Sequence, residues 1–363
     1  MRFDLAVVGA GTAGAALALH AARAGLRVVA LDRHPLEEAG ARWVNGVARW
    51  MFREAGLAQP EGEELAGAGA PFHLVAGRGP TRVVVPEHDV LDVDMRYLVT
   101  RLQRGALDAG AELRGGVHVH GLEDGVLRTS AGPVEATWLA DASGLAGARL
   151  AGSRTPPPGD VCAAAQEVRA IRDPAGARAF LEREGVGEGT TLCYSAVAGG
   201  YSIVNVRVEG DRVSLLTGSL PAYGHPSGAR LLHAFVDEQR WIGPRLFGGS
   251  RSIPLGVVGR LARGRLATLG DAGRQVFSAH GSGVGLGLVA ARMLAEALAS
   301  GRGPRAYARD FLRAWGPLLV VYDAFRRLSQ RLGPRQVAWM MRAGLIDARS
   351  SRAALEMRLP SLR

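Results

Sequence analysis

Asp4-Leu5-Ala6-Val7-Val8-Gly9-Ala10-Gly11-Thr12-Ala13-Gly14, read on to Asp32-Arg33, is the stretch around which this sequence is organised. Residues 5–8 are a short apolar run of the kind that forms a strand buried on both faces. Residues 9–14 carry the spacing G-x-G-x-x-G, residues 15–25 read as a helix stopped at a glycine, and residues 27–31 read as a second strand. In that order Gly9 permits a tight turn, Gly11 lets the backbone approach a pyrophosphate, and Gly14 allows close packing of helix on strand. The helix start at Thr12 and Ala13 presents free N–H groups and a positive dipole end to phosphate. Asp32, about twenty residues on, stands where a carboxylate accepts hydrogen bonds from ribose hydroxyls, with Arg33 beside it. A bound dinucleotide is therefore expected. An acid at Asp32 favours FAD or NAD over NADP at this turn.

The wider composition agrees. The chain has 363 residues, 47% of them apolar, with mean hydropathy near zero. That is length enough for two coupled domains, and no run reaches the roughly eighteen apolar residues of a membrane span. The sequence goes straight into its first strand with no basic leader, so a cytoplasmic location is expected. Cys162 and Cys193 have no metal-ligand spacing, and no metal site is expected. The formal charge is +10 with no lysine at all, which excludes Schiff-base chemistry on lysine. The arginines are scattered without interleaved aromatics, so nucleic-acid binding is not expected.

Further along, residues 42–47 lead into a helix ending at Ala55, and residues 57–80, rich in Gly, Pro and Glu, read as a connection. Residues 83–85 are a strand, 94–109 an amphipathic helix, and 115–138 a small antiparallel meander. Residues 138–140 form a buried strand running into Asp141-Ala142-Ser143-Gly144. Composition changes at Thr155-Pro156-Pro157-Pro158-Gly159, the expected domain junction. Beyond it, strands at 161–170, 190–197, 200–208 and 212–218 and a helix at 227–241 suggest a second sheet carrying substrate contacts. A strand at 266–269 runs into Gly270-Asp271, and a long helix follows from Gly283 to about Ser300. The expected division is 1–154 and 257–303 for a cofactor domain, 155–256 for a substrate sheet and 304–363 for C-terminal helices.

The segment Gly270-Asp271-Ala272-Gly273-Arg274-Gln275-Val276-Phe277-Ser278-Ala279-His280-Gly281-Ser282-Gly283 adds chemistry. A strand ending in Gly-Asp puts a carboxylate beside polyol hydroxyls. A glycine loop opening a helix at Val284 offers N–H groups to a site where negative charge develops. With the N-terminal fingerprint and Asp141 to Gly144, the sequence resembles the FAD-dependent oxidoreductases of the geranylgeranyl reductase and aromatic hydroxylase superfamily. The resemblance implies an α/β fold: a Rossmann-like FAD-binding domain of the hydroxylase type, an inserted antiparallel substrate-binding sheet and a helical C-terminal segment. It also implies that Asp271 holds a flavin ribityl hydroxyl and that Gly281, Ser282 and Gly283 cover the flavin's pyrimidine edge. Asp141 and Gly144 complete the implied cofactor set.

Four departures from the family pattern are visible. Ser278 replaces the loop proline, and Val44-Asn45-Gly46 stands where the reductases carry a catalytic cysteine. The substrate motif survives only as Gly200-Tyr201-Ser202-Ile203-Val204-Asn205, and Met95 occupies the family's arginine position with Arg96 adjacent. Flavin halogenases, which the resemblance associates with an essential lysine and paired tryptophans, are set aside.

His280, in the flavin-covering loop, is the candidate acid or base at neutral pH. Arg96 and Asn45 are the other catalytic candidates. Arg42 could line the flavin's other side, and Tyr201 and Asn205 are candidate substrate contacts. The expected activity is that of a monooxygenase-like FAD enzyme using NAD(P)H on an apolar or aromatic biosynthetic intermediate. Reduction of isoprenoid double bonds, or flavin binding without catalysis, are the alternatives. With one dinucleotide fingerprint, NAD(P)H is expected as a transient reductant without a site of its own. The C-terminal helices, with Trp315, Arg326, Arg327, Arg331 and Trp339, read first as a cavity cap or dimer contact and second as a peripheral membrane surface.

Overall fold

Burial explains the first elements. Strand β1 (Phe3–Val8) is buried from Leu5 onward, and helix α1 (Thr12–Arg23) packs through Gly14, Ala15, Ala18 and Ala22, small residues that let a helix approach a sheet closely. These features come from a computed structural model that describes residues 3–150, 152 and 155–359.

The chain continues with β2 (Val28–Leu31), β3 (Val44–Ala48), α2 (Arg49–Glu54), β4 (Leu65–Ala68), β5 (Phe72–Ala76), β6 (Arg82–Val85) and β7 (Val90–Asp94). Then come α3 (Met95–Asp108), β8 (Glu112–Arg114), β9 (Val119–Glu123), β10 (Val126–Thr129) and β11 (Ala136–Asp141). The middle of the chain holds β12 (Val161–Ile171), α4 (Pro174–Glu184), β13 (Thr191–Ser195), β14 (Ser202–Glu209), β15 (Arg212–Ser219), α5 (Gly228–Glu238) and β16 (Ile242–Pro254). Last are β17 (Ala262–Arg263), β18 (Leu266–Thr268), α6 (Val284–Ala299), α7 (Gly303–Ser329), α8 (Pro334–Arg342) and α9 (Ala348–Leu355).

The chain divides into two compact bodies. The first comprises the chain up to Ala66, Leu91–Thr155 and Pro254–Asp323. Its sheet has the order β17-β18-β11-β1-β2-β8, and every pairing is parallel except β17 with β18. α1 lies against α3 and α6, while Val117, Leu127 and Val134 beside the β9–β10 hairpin join Ala6, Val8, Val29 and Leu31 in one core. The strand order reverses at β1, so the β1–α1 turn occupies the switch point where open α/β sheets bind ligands.

The second body comprises Gly67–Val90, Pro156–Ile253 and the chain from Ala324. Its sheet runs β16-β12-β15-β14-β13-β5-β6, with α4 and α5 contributing Phe180, Leu232 and Phe235 to its core. The hydroxylase-type α/β fold expected from the sequence is present. Two local readings differ. The supposed connection at 57–80 contains β4 and β5, because β5 pairs in parallel with the distant β13 and not with a neighbour in sequence. Helix α4 also went unread, although Asp173 caps it by accepting from Ala175 N at 3.0 Å and Gly185 ends it at φ 63°. Residues 304–363, read as helical throughout, form α7, α8 and α9 within the described range.

Candidate functional site

The carboxyl ends of β1, β2, β11 and β18 bring the expected cofactor residues of the first body to one edge of its sheet. Gly9 has φ +101°, and a Cβ there would lie 2.4 Å from Ala142 O; one on Gly14 would lie 1.8 Å from Gly9 O. Only glycine fits either position. Gly11 caps α1 with no side-chain hydrogen bond, and Gly11, Thr12 and Ala13 are half-exposed. α6 likewise starts at Gly283 with no side-chain cap.

The two helix starts are neighbours. A Cβ on Gly287, in the first turn of α6, would meet Ala13 Cβ at 3.3 Å and Gly270 Cα at 3.9 Å. The cradle therefore has two uncapped helix N-termini with their donors facing a glycine-lined edge. This fits a pyrophosphate on one side and the electron-rich edge of a flavin on the other.

Asp32, buried, accepts from Ala10 N at 2.8 Å through Oδ2 and from His34 N at 2.9 Å through Oδ1. Each oxygen keeps a lone pair for a ribose hydroxyl. Arg33, exposed, donates to Ala146 O at 3.4 Å. Asp271 lies in the turn after β18, and a Cβ on Gly283 would stand 3.6 Å from its Oδ1. That carboxylate is thus held against the start of α6.

Asp141 is fully buried. Its Oδ1 accepts from Ser143 N and Oγ, and its Oδ2 from Leu150 N at 2.9 Å. These bonds fold the loop through Gly144, itself at φ 79°, against the glycine turn. Arg42 is exposed and donates to Glu37 O at 2.5 Å. Asn45 is half-buried on β3. Arg96 clasps Asp94, the N-cap of α3, through Nε at 3.0 Å and Nη2 at 2.5 Å.

His280 sits in a tight loop. Phe277 O accepts from His280 N at 3.2 Å and from Gly281 N at 2.9 Å, and Gly281 has φ 72°. Nδ1 of His280 is 3.0 Å from Ser282 Oγ. A hydroxyl donating to Nδ1 leaves the proton on Nε2, whereas the other tautomer leaves Nε2 a base. The ring meets Tyr322 of α7 edge to face at 5.4 Å, with Phe277 behind both. Burial pushes the Tyr322 hydroxyl up, which keeps it protonated.

Residues that sequence reasoning missed hold these turns in place. Gln103 Nε2 donates to Ala10 O and to Leu36 O, both at 3.0 Å. Its signal was a polar residue within the buried stripe Val99, Gln103, Ala106. Gln275, fully buried, accepts from Gly270 N at 2.8 Å and donates to Tyr307 OH at 2.8 Å. Ser278, in the place of the family's proline, both accepts from Gly256 N at 3.0 Å and donates to Gly256 O at 3.1 Å.

Tyr201 and Asn205 belong to the second body. Tyr201 is buried, its N–H donates to Gln330 Oε1 at 3.0 Å, and burial pushes its hydroxyl well above the usual tyrosine range. Asn205, half-buried on β14 between Cys193 and Leu216, has a buried Oδ1 with no partner among the described residues. No cluster able to hold a metal occurs among the described residues.

Comparison with known proteins bears on the fold and on the cofactor class. Residues 4–66 match the FAD dependent oxidoreductase family. Digeranylgeranylglycerophospholipid reductase 2 of Methanothermobacter thermautotrophicus is 27% identical over 94% of this chain and 92% of its own. A geranylgeranyl bacteriochlorophyll reductase-like structure from Thermoplasma acidophilum superposes with TM-score 0.76 at 16% identity, covering 94% of this chain and 91% of the other. A flavin-dependent brominase does so with TM-score 0.68 at 16% identity, covering 99% and 95%. At such identities the two structures speak for the fold.

Proposed function

We propose that this chain, an FAD-dependent oxidoreductase, acts with NAD(P)H on an apolar or aromatic biosynthetic intermediate in the manner of a monooxygenase, with His280 as its proton-handling group. FAD, when bound, supplies two-electron chemistry, passing reducing equivalents from NAD(P)H to oxygen or substrate. Gly9, Gly11, Thr12, Ala13 and Gly14 would hold the pyrophosphate and Asp32 a ribose. Asp271 would hold the ribityl chain, and Ser282, Gly283 and Val284 the flavin edge.

The single observation that carries the reading is the His280 loop. It places one imidazole, backed by Phe277 and Tyr322, directly before an uncapped helix start. The rings of Phe277 and Tyr322 pack against an imidazole whose ring nitrogens can accept or donate a proton. The first body has no cysteine; Cys162 and Cys193 are buried in the second, where burial pushes both thiols up to about 12. Both thiols are therefore held in the protonated form, which is a poor nucleophile. In the second body Asn205 Oδ1, buried and without a partner among the described residues, supports Asn205 as the candidate acceptor for a substrate hydroxyl.

A second reading, reduction of isoprenoid double bonds, is supported by the reductase relative that spans 94% of the chain. Oxygen consumption separates the two. Oxygenation consumes oxygen in step with NAD(P)H and substrate, whereas reduction proceeds anaerobically. For either direction, His280→Ala should slow the substrate step by about 10²–10⁴ while FAD stays bound. Stopped-flow traces with wild-type rates in both half-reactions would remove His280 from the mechanism.

A further inference from the structure

We propose that the outward face of α7 docks on an anionic phospholipid bilayer. Phe311, Trp315, Leu319, Tyr322 and Asp323 mark the inward face of this helix, all of them buried. The outward face is apolar as well. Pro317, Val321, Ala324 and Leu328 recur at i, i+4, i+7 and i+11 and are all exposed, forming one continuous stripe. Val320 and Phe325 widen it, with Val320 57% and Leu328 49% accessible. A helix face turned to water ordinarily carries charge, so a contiguous apolar stripe marks a surface that something covers.

Charge identifies the occupant. Arg309, Arg313 and Arg327 are exposed and follow one flank of the stripe. Residues 303–363 hold twelve arginines against four carboxylates, so +8 of the chain's +10 lies in this segment. A second copy of the chain meeting this face about a twofold axis would set the patch against itself, arginine facing arginine. A bilayer rich in phosphate headgroups neutralises the same flank, each arginine near such a surface strengthening binding about fivefold. No helix among the described residues is long and apolar enough to cross a membrane, so α7 lies on the surface.

The test is co-sedimentation of the flavin-loaded protein with vesicles of phosphatidylcholine alone and of equimolar phosphatidylcholine and phosphatidylglycerol. Binding should be about tenfold or more tighter to the mixed vesicles and should fall as salt is raised. Replacing Val321→Asp and Leu328→Asp together should weaken partitioning about tenfold or more, with flavin absorbance retained. Arg313→Glu with Arg327→Glu should do the same on mixed vesicles. Both arginines are exposed, so this pair still reads the surface if the apolar pair unfolds. Equal partitioning to both vesicle types, or none to either, overturns the proposal. So does an absence of vesicle binding accompanied by a concentration-dependent dimer that the aspartate pair abolishes, which would assign the face to a second copy.

Discussion

The sheet of the first body and the sheet of the second obey different burial rules. β2 is buried at every position and β1 from Leu5 onward, as parallel strands covered on both faces must be. β14 instead alternates. Ser202, Val204, Val206 and Val208 face inward, while Ile203, Asn205 and Arg207 are half-exposed. A strand covered on both faces has no side chain to spare for chemistry. In the first body the turns at the strand ends, with their backbone N–H groups, glycines and single acids, are what remains open to a ligand. The second keeps one face of its sheet for side chains such as Asn205. The cofactor contacts proposed for the first body and the substrate contact proposed for Asn205 differ in the same way, the one drawing on backbone and the other on a side chain.

The largest expected effect breaks the first body at its tightest point. A Cβ on Gly14 would stand 1.8 Å from Gly9 O, a backbone atom that cannot move without opening the turn. Gly14→Val should abolish folded flavoprotein, visible as loss of the bound flavin spectrum in the soluble fraction. A variant that keeps its flavin would mean that helix and strand are not packed as described.

Next in size is a lesion confined to the second body. Phe180 is buried between Phe235, edge-on at 6.3 Å, and Trp241 at 5.3 Å. Phe180→Ala should cost about 3–5 kcal/mol and lower the melting temperature, while FAD affinity below the transition stays unchanged. A large loss of FAD affinity would contradict the separation of roles.

Acid should act on the first body. His20, on α1, is lowered to about 4, first by burial and then by Arg23 and Arg292, and its Nε2 has no partner among the described residues. The folded value lies below the unfolded value of about 6.5, so below that pH the unfolded chain binds a proton that the folded one refuses. The stability tied to neutral His20 is complete above about pH 6.5 and is lost as pH falls toward 4, about 3 kcal/mol in all. Urea midpoints measured across that window should fall in the wild type and flatten in His20→Gln. Parallel curves for the two proteins would clear His20 of any part in acid sensitivity.

Where the sequence could be read, the determining interactions are short-range. The turn from Gly9 to Gly14, the run to Asp32, the Gly270-Asp271 turn and the glycine loop before Val284 each lie within one strand–turn–helix unit. Their spacing alone announces tight turns and helix starts. The readings that failed depend on distant partners. Residues 72–76 look like a connection because their strand partner lies beyond residue 190. Gln103 and Gln275 are ordinary polar residues until folding brings Ala10 O and Tyr307 OH to them.

By itself the sequence determined the order of the cofactor turns, the absence of lysine chemistry and the candidacy of His280, because glycine spacing and residue type act locally. Only the tertiary structure decided what surrounds them. It set Tyr322 against His280 across forty-two residues, joined the starts of α1 and α6, and turned one apolar face of α7 inward and the other to solvent. The physical reason is packing. Which of two apolar helix faces is buried, and which polar group meets which, depends on contacts between segments that no local pattern contains.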